Sequence, residues 1–320
     1  MILSTRWLRK LCFGFPSRAR LLAGQGFHRG SPAAARHLDQ VFGTFVDGYH
    51  AALDDGRPET LGPRLSAVSP EFRGFAFEGA GLCLAAFDLL TPWKRNRWLT
   101  FLNGPGESQS FMLHVGFGIA LAHFGRRADE GLGRLAHPGE RWLSVDGYGF
   151  HSGCLQWRHY VKAQTAPPGL TGFAGQVFDH GLGRALWFGC GADVAHIHQA
   201  ISAFPPDRRS DLWSGVGVAC TFAGGVEEDD LRALCEAAGE YQPYLKLGAA
   251  LAATLRHRAG DIVPYTELAC QTVCALSATQ AAGLFAAALN DLPDDGPEPL
   301  YAVIRRRILD QLTAGIGFAK

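Results

Sequence analysis

Glycine recurs in this chain at nearly even steps, and no other feature of the sequence limits the fold so strongly. Gly48, Gly79, Gly116, Gly147, Gly181, Gly215, Gly248, Gly283 and Gly315 are separated by 31 to 37 residues. A small residue follows four places later at Ala52, Cys83, Ala120, Ala185, Ala219, Ala252, Ala287 and Ala319, whereas Gly147 is followed by His151. Forty glycines in 320 residues make any single hit cheap, so the weight rests on shared context such as FEGAGLCLAAF, HVGFGIALAHF, DHGLGRALWF and WSGVGVACTF. Positions i and i+4 share one face of a helix, and two small side chains there let another helix axis come close, as in the small-xxx-small contact. Glycine inside a helix costs about 1 kcal/mol against alanine, so nine of them need a return in packing or function. A period of about 33 residues marks stacked helical hairpins. The expected fold is therefore mainly α, built of repeated hairpins as an α/α solenoid or a closed α/α ring.

Local signals agree. Ser31-Pro32 reads as an N-cap followed by proline in the first turn, opening a helix that runs to about Leu53. Ser69-Pro70-Glu71 opens a glycine-bearing helix that ends before Thr91-Pro92. Ser277 with Gln280 three residues on is a capping-box pattern. Short amphipathic helices precede the glycine-bearing ones at His196–Phe204 before Arg209–Phe222, and at Leu231–Ala238 before Tyr244–His257. Period-two alternation of β-branched residues is almost absent, which argues against strands. The chain divides into a basic arm (1–30), a helical-repeat domain (31–290), and an acidic linker with a C-terminal helix packing on the same body (291–320).

Composition narrows the function classes. Net charge is zero, so no global field favours nucleic acid. The first 38 residues hold seven arginines and lysines and no acid before Asp39, with Trp7, Leu8, Leu11, Phe13 and Phe15 interleaved. That pattern fits an arm packed on the body; its bolder reading is peripheral contact with an anionic membrane through residues 1–20. Gly14 and Pro16 break the apolar stretch, so it is a poor signal peptide. No apolar run is long enough to span a bilayer. Eight cysteines sit mostly in apolar helical text, as small buried hydrophobes in a reducing cytoplasm. Cys270 and Cys274 lie one turn apart, but two thiolates do not make a zinc site.

The residue before each repeat glycine carries the chemistry. For the first eight it is Asp47, Glu78, Val115, Asp146, His180, Ser214, Leu247 and Ala282. Equivalent positions in a stacked array point the same way, so acids and histidine would line one inner surface and serve acid–base work. The densest text is Val145 to His151, with Asp146 and His151, and Phe178 to Arg184, with Asp179 and His180. His180 and Arg184 are i,i+4 and share a face; Arg184 is placed to pair with Asp146 or Glu78 on a neighbouring helix. The expected catalytic set is Glu78, Asp146, His151, Asp179 and His180. The expected substrate-binding set is His114, Tyr148, Arg184 and Trp213, with Tyr148 and Trp213 as core or pocket wall. The alternative for every one of these is a buried polar network that pins helix to helix. Asp207 to Asp211 reads as a solvated helix start with local ion pairs. Gly181-Leu-Gly183 and Gly215-Val-Gly217 echo a dinucleotide fingerprint but follow no strand. No metal site is expected, and no flavin, nicotinamide or haem signature is present, so cofactor use is unknown.

The blocks RGFAFEGAGLCLA (73–85), FMLHVGFGIALA (111–122), VDGYGFHSG (145–153), FDHGLGRALWF (178–188), AFPPDRRSDLWSGVGVACTFAGG (203–225) and TELAC (266–270) resemble, in order and spacing, an uncharacterised bacterial domain-of-unknown-function family. That family includes UnbL-type enediyne biosynthesis proteins, and the resemblance runs from about residue 25 to 290. It implies an accessory role in polyketide-type natural-product biosynthesis, beside an iterative polyketide synthase that makes a conjugated polyene. Two functions follow as expectations. The first is an enzyme that isomerises, cyclises or unsaturates an apolar polyene. The second is a non-catalytic helical scaffold or carrier that holds the polyene or docks the synthase or a redox partner. The chain departs from enediyne members at Asp179-His180-Gly181, where they tend to read DQG, and at Ser152-Gly153-Cys154, where they tend to carry an aromatic.

Overall fold

The computed structural model describes residues 26–91, 93, 96–292 and 298–314. Among them are fifteen α-helices and no strand: α1 (Pro32–Asp54), α2 (Pro58–Ser66), α3 (Pro70–Leu90), α4 (Arg97–Leu102), α5 (Ser110–His123), α6 (Asp129–Arg134), α7 (Leu143–Leu155), α8 (Phe173–Gly189), α9 (Val194–Ser202), α10 (Pro206–Ala223), α11 (Glu228–Ala238), α12 (Gln242–Ala259), α13 (Pro264–Ala269), α14 (Ala278–Ala288) and α15 (Leu300–Thr313). The mainly α reading holds. The repeat glycines from Gly48 to Gly283 fall on α1, α3, α5, α7, α8, α10, α12 and α14. Shorter segments join these helices: α2, α4, α6, a π-helical turn at Arg158–Lys162, α9, α11 and α13. Gly315 and the arm up to residue 25 lie outside the described residues.

The start signals work as their chemistry requires. Ser31 Oγ accepts from the Ala34 N–H at 3.1 Å, which satisfies one of the free donors at a helix N-terminus. Ser277 and Gln280 cap each other reciprocally at 3.1 and 2.9 Å. Pro32, Pro58, Pro70, Pro206 and Pro264 each open a helix where the missing N–H costs nothing.

Each glycine-bearing helix packs on the next one in chain order; a Gly-x-Gly pair sets the spacing on α3, α5, α7, α8 and α10, and Gly248 stands alone in the first place on α12. A Cβ on the first glycine would overlap a carbonyl oxygen of the preceding helix: Gly116 that of Glu78, Gly147 that of Val115, Gly181 that of Asp146, Gly215 that of His180 and Gly248 that of Ser214. A Cβ on the second would meet the following helix: Gly118 at Ser144, Gly149 at Phe178, Gly183 at Leu212 and Gly217 at Leu245. The small residue four places on is buried at Ala52, Cys83, Ala120, Ala185, Ala219 and Ala252 and exposed at Ala287, but the closest approach belongs to the glycines.

Helices far apart in the series also meet. Phe75 on α3 and Phe222 on α10 pack edge to face at 5.2 Å. Arg256 on α12, 1% exposed, donates to the carbonyls of Pro70 (2.8 Å), Glu71 (2.9 Å) and Phe222 (2.5 Å). Asp261 accepts from Arg73 at 2.6 Å and from Gln109 at 2.8 Å. The last helix, α15, lies against α12 and α14. No single helix among the described residues is long and apolar enough to cross a membrane.

Candidate functional site

Four titratable side chains from three glycine-bearing helices converge in the interior. His180 Nδ1 on α8 lies 2.5 Å from Asp146 Oδ2 on α7. Arg184, one turn after His180, donates through Nη1 to Asp146 Oδ1. Its Nη2 stands 3.5 Å from Glu78 Oε1 on α3. That contact is ionic but too long for a good hydrogen bond, and Glu78 Oε1 is buried without one. Arg184 also stacks over Phe150, 4.8 Å from the ring centre. All four groups are under 9% exposed.

Electrostatics assigns their protonation. Burial pushes the Asp146 carboxyl up, but Arg184 and His180 outweigh it and hold it below the usual carboxylate range. Burial lowers His180 more than Asp146 raises it, so the imidazole is neutral. Burial raises Glu78 to about 7, against the pull of Arg184 and with a push from Asp146. An ionised Asp146 accepts only, so His180 carries its proton on Nδ1. His180 Nε2 then has a lone pair, and it is buried with no partner.

Two small apolar spaces flank Arg184. One, of about 40 Å³, is lined by Asp146, His180, Arg184 and Tyr301 with Phe75, Phe111, Val218 and Leu251. The other, of about 90 Å³, is lined by Glu78, His151, Arg184 and Phe150 with Phe42, Phe45 and Ile119. A buried aspartate that orients a neutral imidazole, whose second nitrogen faces apolar space, is a general-base arrangement.

The other residues singled out from sequence fall elsewhere. His151 borders the second space, but its ring nitrogen Nε2 lies 3.3 Å from His123 Nδ1 and its Nδ1 is unpartnered; burial lowers it to about 3. Asp179 does not join the cluster: Arg208 grips it through Nε (2.8 Å) and Nη2 (2.5 Å). Tyr148 is half-buried against Phe178 and borders neither space. Trp213 is core. His114 lines a separate groove on the other side of α5. Asp47 is exposed, unlike Glu78, Asp146 and His180.

The helix start at 207–211 is not a solvated run of local pairs. Arg208 reaches Asp179, and the buried Asp211 accepts from Arg305 of α15 at 2.7 Å. Arg305 and Tyr301 approach the cluster from a helix that carries no repeat glycine, so the repeat gave no pointer to them. Burial, opposed by Arg305, raises Tyr301 to about 12. Among the described residues, His28, Asp193 and His196 form a group with metal-ligand chemistry, their donor atoms within 4.8 Å of one another. The two imidazoles stack at 3.7 Å and 14°, so an ion between them would lie outside both ring planes, and coordination would require the rings to turn. Cys190, Cys220, Cys235, Cys270 and Cys274 are free thiols.

No curated protein and no solved structure matches the chain. A family model does match, over residues 4–312. The chain thus belongs to DUF1702, a family of proteins of unknown function.

Proposed function

We propose that this protein is an acid–base enzyme acting on an apolar, conjugated polyene of polyketide type, in an enediyne-like biosynthetic setting. The glycine-bearing helices are read as copies of one hairpin unit packed around the reacting interior. One observation carries the proposal: a neutral His180, oriented by a buried Asp146, has an unpartnered Nε2 at an apolar space. The reaction would be redox-neutral. His180 Nε2 removes an allylic proton, the double bonds shift, and the imidazolium returns the proton further along the chain, giving isomerisation or setting up cyclisation. Arg184 would hold a substrate carboxylate, and a protonated Glu78 would donate a hydrogen bond beside it.

A second reading is favoured by the size of the interior. Spaces of about 40 and 90 Å³ fall below ordinary ligand pockets of roughly 300–1,000 Å³. A non-catalytic body that carries a polyene or docks a polyketide synthase or redox partner would need no larger ones. Purified protein incubated with a linear polyene carboxylic acid separates the two. A shift of the polyene absorption that is lost in His180→Gln and Asp146→Asn supports the enzyme. Stable binding with an unchanged product spectrum in the wild type supports the carrier and removes the catalytic assignment.

A further inference from the structure

One concave feature is unconnected with the interior cluster. A groove of about 840 Å³ runs between α4, the start of α5, the 134–140 segment and the end of α12, a volume within the range of small-molecule sites. It shares no lining residue with either interior space. Trp98, Leu102, Phe117 and Leu135 supply apolar walls.

Two histidines in its lining have fixed and opposite tautomers. His114, 1% exposed, lies with Nδ1 2.7 Å from the Ser110 carbonyl oxygen. A carbonyl only accepts, so Nδ1 carries the hydrogen and Nε2 carries a lone pair with no protein partner. Glu140 Oε2 stands 3.5 Å from the same Nδ1, and its other oxygen accepts from Arg258 at 3.1 Å. Trp98 packs edge-on against the His114 ring at 5.0 Å. His137 is set the other way. The Glu140 N–H donates to His137 Nδ1 at 3.1 Å, so the His137 hydrogen lies on Nε2. Ser110 Oγ, in the same wall, is buried with no partner. The lining therefore offers an acceptor at His114 and a donor at His137 beside an apolar floor.

We propose that this groove binds an apolar molecule bearing a hydroxyl group. The hydroxyl donates to His114 Nε2 and accepts from His137 Nε2–H. The apolar body lies on Trp98, Leu102, Phe117 and Leu135. A hydroxyl both donates and accepts, whereas its methyl ether cannot donate and would leave the His114 acceptor unpaired.

The test is calorimetric titration of the full chain at neutral pH with 2-naphthol and with 2-methoxynaphthalene. Wild-type protein should bind 2-naphthol at least about tenfold more tightly than the ether, the value of one good hydrogen bond. His114→Phe keeps a ring and removes the acceptor; it should erase that preference. His114→Gln keeps an acceptor near the Nε2 position and should retain part of it. Ala136→Trp, at an exposed position in the lining, should block both probes while leaving the fold intact. The proposal fails if wild-type protein binds neither probe, if the two bind equally, or if Ala136→Trp binds 2-naphthol as well as wild type does.

Discussion

Replacing Gly181 by alanine tests the packing argument most directly. A Cβ there would overlap the Asp146 carbonyl oxygen and lie 2.8 Å from its carbon and 2.9 Å from the Phe150 nitrogen. Ordinary contact begins at 3.4 Å; the carbonyl carbon alone demands a separation of about 0.6 Å and the nearer oxygen demands more, so α7 and α8 must move apart by more than that. The neighbours are backbone atoms and cannot swing aside. Overpacking of this kind costs roughly 1–3 kcal/mol or more, against a helix-propensity gain of about 1 kcal/mol. We expect Gly181→Ala to lose on the order of 2 kcal/mol in urea unfolding followed by circular dichroism. Gly43, on the exposed side of α1, is the control: a Cβ there meets nothing within 4 Å. Gly43→Ala should gain about 1 kcal/mol. Equal stability of the two variants would refute the idea that repeat glycines set the helix spacing.

Glu78 supplies a pH signature. Its carboxyl rises from 4.5 to about 7 in the folded chain, so between those pH values the native state keeps a proton that the unfolded chain has released. Stability from this group is full below about pH 4.5 and is lost as pH rises through about 7, a change on the order of 3 kcal/mol. Urea unfolding of wild type and Glu78→Gln across that window should show wild type losing ground relative to the variant; a constant difference would remove the assignment. Arg256→Met should destabilise by several kcal/mol, because the Pro70, Glu71 and Phe222 carbonyls and the Tyr265 hydroxyl, 2.5 Å from Nη2, lose a buried charged donor. Thermal unfolding within about 2 °C of wild type would show that those groups find other partners.

Much of the helical layout was legible because local chemistry fixes it. Ser31, Ser69-Pro70 and the Ser277/Gln280 pair mark helix starts within a residue or so. Arg184 was legible too, since its i,i+4 spacing from His180 and the repeat frame leave Asp146 and Glu78 as partners. What the sequence hid depends on long side chains crossing between elements. Arg208 meets Asp179 and Arg305 meets Asp211 because of how the chain returns, which no short window records. Asp47 shows the limit of the frame itself. It precedes a glycine as Glu78 does, but among the described residues no glycine-bearing helix comes before α1, and Asp47 is exposed. His114 shows another limit: its helix is buried on nearly every side, and only the course of 134–140 decides which face opens onto a groove.

The helix spacing and the cluster share one physical cause. Gly116 sits over the Glu78 carbonyl, Gly181 over that of Asp146 and Gly215 over that of His180. Each titratable residue therefore leaves its helix at the point where the next backbone presses closest. Such positions cannot drift, since close-packed interiors transmit displacement rather than absorb it. That is the condition a proton-transfer pair needs, because a constellation must be held to about half an ångström. It follows that a glycine substitution should act on the site as well as on stability. Widening the α7–α8 spacing in Gly181→Ala would stretch the 2.5 Å Asp146–His180 contact and weaken the hold of Asp146 on the His180 proton. The imidazole resonance of His180, followed by NMR against pH, should then lose its coupling to Asp146 in that variant while Gly43→Ala leaves it unchanged. An unaltered His180 titration in Gly181→Ala would separate the packing device from the chemistry.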